Sequence, residues 1–209
     1  MKKLLLGAAA ALFLTAGANA AEIYAHVGTE GLGLGVGYAL DNYHGVRAEV
    51  SGFNLGRSFK AGELEYDADL KVRHLGLYYD FHPFGNTFRL SAGAIINSDR
   101  AAVSSPEQTV SYRGTSLLVP AGAMKAEVKM PRVMPYLGLG VGHGPAKGWG
   151  FAADLGVAFG KPSSSFSVSP QVQAYVPQSV IDEQRGEVER YVNKVKFFPV
   201  VKLGVTYAF

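Results

Sequence analysis

The sequence contains no cysteine, and its 209 residues carry little excess charge. The absence of cysteine excludes disulfides and thiolate metal sites. The formal net charge is +3, but Lys2 and Lys3 account for two of these charges and lie in an N-terminal segment that contains no acidic residue. Without that segment the net charge falls to +1, so the sequence gives no electrostatic reason to expect a nucleic-acid partner.

Residues 1–20 have the features of a cleaved secretory signal peptide. The basic start is followed by a mostly apolar run over residues 4–16 and by the small-residue sequence Ala18-Asn19-Ala20. This order is typical of an exported protein. The alternative, a transmembrane helix, needs roughly 18 apolar residues, and the run is shorter. We therefore expect the mature chain to begin at Ala21 and residues 21–209 to form one domain.

Long apolar runs are also missing after residue 20, although 48% of the residues are hydrophobic and 26 are glycine. The last segment, residues 196–209, instead alternates. Since successive side chains of a strand point to opposite faces, it has one unbroken apolar face. A tilted strand of roughly 9–11 residues crosses a bilayer. A final strand ending in an aromatic residue, here Phe209, resembles the assembly signal of Gram-negative outer-membrane proteins. We expect outer-membrane localisation, with membrane lipids and the outer-membrane assembly machinery as partners.

Period-two alternation predicts eight strands, and a membrane-spanning sheet must close into a barrel because lipid cannot satisfy its edges. The expected fold is all-β: a monomeric, eight-stranded antiparallel transmembrane β-barrel in up-and-down order, with a short helix over residues 177–192 in the last outside loop. Short turns alternate with longer loops, which places both termini in the periplasm. The predicted strands span residues 22–29, 31–40, 45–59, 64–81, 87–103, 124–142, 149–165 and 190–209.

Two stretches break the alternation. Lys71 and Arg73 share the parity of the outward Leu75 and Leu77, and the parity of strand six changes at Met130-Pro131. Either a β-bulge lies at each place or the strands extend above the membrane. The third loop, around residues 104–123, contains an apolar patch over residues 116–120, which we expect to fold back over the barrel mouth. Aromatic residues near the short turns predict an interfacial girdle: Tyr38, Tyr79, Phe81, Phe84, Phe88, Trp149, Tyr207 and Phe209.

Inward positions collect a mixed-sign polar set, from which any transport function must come. We expect Lys202 to contact Asp154 on the neighbouring strand and Glu49 across the barrel. Two interpretations remain open: a compensated plug, since eight strands leave just enough room for side chains, or a narrow polar path for a small solute. The predicted lumen-lining residues are Arg47, Glu49, Asp80, Arg89, Tyr136, Asp154 and Lys202.

Enzymatic motifs are absent from the sequence, which has no GxSxG, HExxH or P-loop pattern. Some small outer-membrane barrels modify lipid A with a histidine, a serine and an acid. None of the five histidines, His26, His44, His74, His82 and His143, has such partners at a suggestive spacing. We expect no enzyme, no catalytic or metal site and no cofactor.

Several segments resemble one family. They are Leu77-Tyr-Tyr-Asp-Phe-His-Pro-Phe-Gly85, Leu90-Ser-Ala-Gly-Ala94, Met134-Pro-Tyr-Leu-Gly-Leu-Gly140, Trp149-Gly-Phe-Ala-Ala-Asp-Leu-Gly-Val157 and residues 187–209. Together these resemble the small proteobacterial outer-membrane barrels that include CarO-type ornithine uptake porins. The resemblance, over residues 25–209, implies an eight-stranded barrel and porin-like passive uptake of small basic solutes. The alternative is a closed structural or surface-interaction barrel of the OmpA kind; a lipid A modifying enzyme is less favoured.

Overall fold

The computed structural model describes residues 21–61, 64–112, 115–143, 147–173, 178–192 and 194–209. The predicted signal peptide therefore lies outside the described residues. The described chain forms thirteen strands and two helices: β1 Ala21–Gly28, β2 Gly31–Ala39, β3 His44–Ala61, β4 Leu64–Phe81, β5 Phe88–Asn97, β6 Arg100–Ser104, β7 Gln108–Tyr112, β8 Thr115–Val119, β9 Met124–Lys129, β10 Val133–Val141, β11 Gly148–Phe159, β12 Ser163–Val168, α1 Pro170–Gln173, α2 Gln178–Val192 and β13 Phe197–Ala208.

Eight of these strands form a closed ring of antiparallel pairs. Its order is β1, β2, β3, β4, β5, β10, β11 and β13, and it closes because β13 pairs with β1. The ring strands follow one another in chain order, as a meander does. The predicted all-β, antiparallel fold is confirmed. We call the end of the ring that carries Ala21, Phe209 and the short turns the turn end.

Alternation places apolar side chains outside the ring and polar ones inside. On β11, Phe151 is 84% exposed and the neighbouring Ala152 and Asp154 are buried. Aromatic residues predicted for the girdle lie at the turn end, where Trp149 and Tyr207 pack with ring centroids 5.2 Å apart. Other exposed outward residues continue the apolar belt: Ile23, Val27, Leu32, Leu34, Leu75, Leu77, Leu90, Val133, Leu137, Leu139, Leu155 and Leu203.

Four predicted strands were too long: three are interrupted where the chain leaves the ring for further short strands, and the fourth begins later than predicted. The predicted segment 87–103 is divided into β5 and β6, 124–142 into β9 and β10, and 149–165 into β11 and β12, while residues 190–192 belong to α2. One break falls at Pro131, which has no N–H for the ladder. There Asn97 replaces strand pairing by donating its side-chain amide to the Pro131 carbonyl (2.7 Å) and its backbone N–H to the Arg132 carbonyl (2.8 Å).

Beyond these breaks, β6, β9 and β12 pair in order onto residues 67–71 of β4 and onto one another. With residues 53–61 of β3 and 64–72 of β4 they form a five-stranded sheet, which we call the extension. The register between β3 and β4 is continuous from His44 opposite Phe81 to Ala61 opposite Leu64. The bulge alternative is therefore wrong for strand four, and Lys71 and Arg73 are outward because β4 continues beyond the ring. Strand six has a break at residues 130–132 instead of a bulge.

The long loops carry further structure. Strands β7 and β8 form a separate hairpin, in which Leu118 is 64% exposed. The expectation that the apolar patch folds over the mouth is therefore wrong at this side chain. Helix α2 occupies the segment for which the sequence predicts a helix. Within the described ranges, neither helix combines the length and hydropathy needed to cross a bilayer.

Candidate functional site: the interior of the ring

All seven residues predicted to line the lumen are buried inside the ring. Their exposure ranges from 0% at Arg89 to 6% at Asp154. They come from six different strands and converge because each occupies an inward position of the alternation. Charges buried together need partners, and here the partners are one another.

Two arginines and two aspartates form a cluster near the turn end, which we call the arginine-aspartate cluster. Arg47 pairs with Asp80 through its Nε, and its Nη2 lies 3.4 Å from Asp154 Oδ1. Arg89 donates from Nη2 to the same Asp154 oxygen at 2.5 Å and from Nη1 to the Gly142 carbonyl at 2.7 Å. Ser91 donates to Asp80 at 2.5 Å. The cluster joins four strands across the interior: β3, β4, β5 and β11.

Lys202 is the centre of a second group. Its Nζ lies 2.6 Å from Glu49 Oε1 and 3.2 Å from Glu30 Oε2. The hydroxyls of Tyr24 and Tyr78 each donate to Glu49 at 3.0 Å. The predicted Glu49 contact is therefore present, but the predicted Asp154 contact is wrong. Asp154 is opposite Lys202 on the ladder, yet its carboxylate binds the two arginines, while the long lysine side chain reaches Glu30 instead.

Glu30, His74 and Asp99 complete the polar interior, although none of them was predicted to lie there. His74 lies between the two acids, with Nδ1 2.7 Å from Glu30 and Nε2 2.7 Å from Asp99. Because both ring nitrogens face carboxylates, both must carry a proton, and His74 has no free lone pair to act as a base. The inward position of His74 on β4 could have been predicted from the alternation. No such signal exists for Glu30, because it follows β1 in a turn that looks exposed.

Apolar residues fill the interior beyond the arginine-aspartate cluster, as seen from the turn end. Tyr78, Ile95, Met134, Tyr136, Ala158 and Val200 form one buried cluster, which we call the apolar cluster. Ile95, Met134 and Val200 are 0% exposed. Tyr78 and Tyr136 meet edge to face with centroids 5.0 Å apart, a favourable aromatic geometry. Tyr136 lies four residues along β10 from Gly140, which is opposite Arg89, so the apolar cluster lies farther from the turn end than Arg89.

Two cavities interrupt the packing at the turn end. The larger, about 500 Å³ including space open to solvent, is bordered by Glu22, Asp41, Asp80 and His143, among others. His143 contacts Glu22 through Nδ1. Burial lowers the pKa of His143. The His44 side chain and the Tyr43 N–H lower the pKa of Asp41 in the adjacent turn.

The smaller cavity, about 200 Å³ including space open to solvent, lies deeper, between Tyr24, His26, Glu49, Asp154 and Lys202. Both His26 ring nitrogens lack a hydrogen-bond partner among the described residues. A small polar cavity of this kind is where buried water is expected. No group of three or more histidine, aspartate or glutamate side chains in the described ranges is arranged to hold a metal ion.

The fold of this chain is similar to that of known outer-membrane proteins. No family model and no curated protein matches the sequence. Among solved structures, Acinetobacter baumannii CarO2 matches with a TM-score of 0.57 and 20% identity over 91% of this chain and 98% of that chain. The chain has the CarO fold. Acinetobacter baumannii CarO itself matches with a TM-score of 0.55 and 20% identity over 90% of this chain and 97% of its own. The CarO-type resemblance predicted from the sequence is therefore confirmed at the level of the fold.

Proposed function

We propose that the protein is a CarO-like outer-membrane β-barrel whose lumen is closed, and that its extension is displayed outside the cell. Several features support membrane insertion. The ring exposes an apolar belt, aromatic residues lie at its turn end, and the chain finishes on an alternating strand ending at Phe209. The outer membrane, a periplasmic turn end, a monomeric state and recognition of the last strand by the assembly machinery are parts of the same proposal.

One observation favours the closed barrel over porin-like uptake: inward residues at successive levels of the ring are inaccessible to solvent. A water-filled path leaves its lining residues accessible. Here Arg89, Ile95, Met134 and Val200 are all 0% exposed. Charge pairing agrees, because each of the four side chains Arg47, Arg89, Lys202 and His74 contacts at least one of five buried carboxylates.

Porin-like uptake of small basic solutes remains the second candidate. The turn-end cavity supports it, since its lining holds three acids, Glu22, Asp41 and Asp80, against one fully charged cation, Arg47, an excess that would attract a basic solute. Passage beyond this cavity requires both the arginine-aspartate cluster and the apolar cluster to move aside. We propose no enzymatic role.

Conductance of the purified, refolded protein in a planar bilayer separates the two candidates. A closed barrel should give no discrete steps, and the combined variant Arg89→Ala/Tyr136→Ala, which removes one side chain from each cluster, should give them. Arg57→Ala, on the exposed end of β3, is the control. Discrete steps or lysine uptake by the unmodified protein would establish the porin-like reading instead. Heat-modifiable migration on gels reports whether each variant is folded.

A further inference from the structure

The outward face of the extension carries four cations in the rows nearest the ring. Lys71 is directly opposite Arg100, and Arg100 is directly opposite Lys129. Directly opposed residues put their side chains on one face of a sheet, with Cβ atoms about 4.5–5.5 Å apart. Arg73 lies two residues closer to the ring on the same face of β4. We call Arg73, Lys71, Arg100 and Lys129 the basic patch.

Carboxylates on this face are placed farther from the ring. Asp69 and Glu127 are both opposite Ala102 in the next row. Asp67 and Lys125 are both opposite Ser104 in the row after that. The two rows nearest the ring therefore hold four cations and no acid, while the next two rows hold three acids and one cation. The face is divided by charge along the axis of the ring.

The charge of the basic patch is only partly compensated within the protein. Glu127 lies 2.7 Å from Arg100 and 2.9 Å from Lys129. Lys71 and Arg73 are exposed and form no ion pair with any residue in the described part of the chain. Like charges directly opposed on a sheet destabilise it. An external anion among the four side chains would therefore stabilise this arrangement.

The neighbouring residues indicate where such an anion would lie relative to the membrane. On the same face of β4, the next positions toward the ring are Leu75 and Leu77, which are exposed and apolar. Lys71 and Arg73 lie two to four residues beyond Leu75, and a strand rises about 3.3 Å per residue. If the apolar belt meets acyl chains, the basic patch lies at the level of the headgroups.

We propose that the basic patch binds the phosphate groups of a phosphorylated glycolipid in the outer leaflet. This inference rests on the proposed outer-membrane placement. Phosphate is the chemistry that fits, because a guanidinium forms paired hydrogen bonds with it and lysine adds point charge beside them. The lipid is held from two sides, by the patch at its headgroup and by Leu75 and Leu77 along its chains.

The test compares three ligands for the full-length protein in neutral detergent micelles: bisphosphorylated lipid A, the same lipid with its phosphates removed, and inorganic phosphate. Each basic side chain near an anionic surface contributes about fivefold in affinity. Removing two should therefore weaken binding about 25-fold. The variant is Lys71→Gln/Arg73→Gln. The matched control, Arg57→Gln/Lys60→Gln, removes the same charge from the exposed end of β3.

We expect bisphosphorylated lipid A to bind more tightly than the dephosphorylated lipid, the patch variant to lose that preference and the control to keep it. Equal binding of the two lipids, or an unaffected patch variant, overturns the inference. Millimolar inorganic phosphate that displaces the lipid completely also overturns it, because the patch is then a simple anion site. Fractionation of the cells tests the placement separately: protein found outside the outer membrane contradicts the proposed function, whatever the lipid result.

Discussion

Replacing Lys202 with methionine tests the compensated interior most directly. Methionine keeps much of the apolar stem and removes the charge that lies 2.6 Å from Glu49 and 3.2 Å from Glu30. Removing one partner of a buried ion pair costs about 3–5 kcal/mol, because the remaining charge is uncompensated. Glu49 keeps two tyrosine hydroxyls and Glu30 keeps His74. We therefore expect a loss near the lower end, about 3 kcal/mol in the free energy of unfolding.

A second variant separates lost packing from lost charge. Lys202→Met/Glu49→Gln removes one of the two buried carboxylate charges that the single variant leaves uncompensated, so the loss should shrink to about 1–2 kcal/mol. Lys60→Met is the control, since Lys60 pairs with Glu65 on the surface with 74% of its side chain exposed. Its effect should stay within about 0.5 kcal/mol.

Urea unfolding of the protein refolded in lipid vesicles at pH 7.5 measures these differences. The single tryptophan, Trp149, lies on the outward face of β11 and is 80% exposed, so its fluorescence reports transfer from lipid to water. The reasoning is refuted if Lys202→Met costs less than about 1 kcal/mol. It is also refuted if the double variant is no more stable than the single one, because the loss then comes from packing and not from an uncompensated carboxylate.

Two further predictions concern the apolar cluster and a turn. Gly156→Ala should cost about 1–3 kcal/mol in unfolding free energy, because a Cβ there would lie 2.3 Å from the buried Tyr136 hydroxyl. Gly56→Ala should cost less than half as much, because a Cβ there would lie 3.5 Å from Asp69 Oδ1, an ordinary contact. Asp41 has a lowered pKa when folded, so its stabilising contribution is present above its unfolded pKa, about 4, and is lost as the pH falls through the folded value. Carboxyl NMR titration should place the Asp41 transition below that of unfolded aspartate, and His44→Ala should move it upward.

The ring could be predicted from the sequence because its evidence is local. Alternation fixes which face each residue occupies, and seven inward residues chosen on that basis all lie inside. Helix α2 was predictable for a similar reason, since the helical spacing of apolar residues is a property of a short segment. Neither inference required knowledge of which strand is opposite which.

Partner choice inside the ring could not be predicted, because it depends on three-dimensional reach. Lys202 and Asp154 are neighbours on a ladder, but the Asp154 carboxylate is taken by Arg89 at 2.5 Å. Glu30 enters the interior from a turn, where alternation assigns no face. The extension was missed for a different reason: β6, β9 and β12 continue the same alternation as the ring strands, so only the breaks near Ser98, Pro131 and Gly160 separate the two sheets.

Glycine explains why the interior can close at all. A Cβ on Gly35 would lie 2.2 Å from Tyr24, one on Gly76 2.4 Å from Tyr78, and one on Gly138 2.3 Å from Tyr136. Each of these large inward rings therefore lies against a glycine: Gly35 is on the strand next to Tyr24, and Gly76 and Gly138 are two residues from their tyrosines on the same strand. Eight strands leave room only for side chains, and the small residues let tyrosines reach across that room. Closure thus depends on tyrosine and glycine packing as well as on ion pairs, and this is why removal of Arg89 alone should leave the barrel closed.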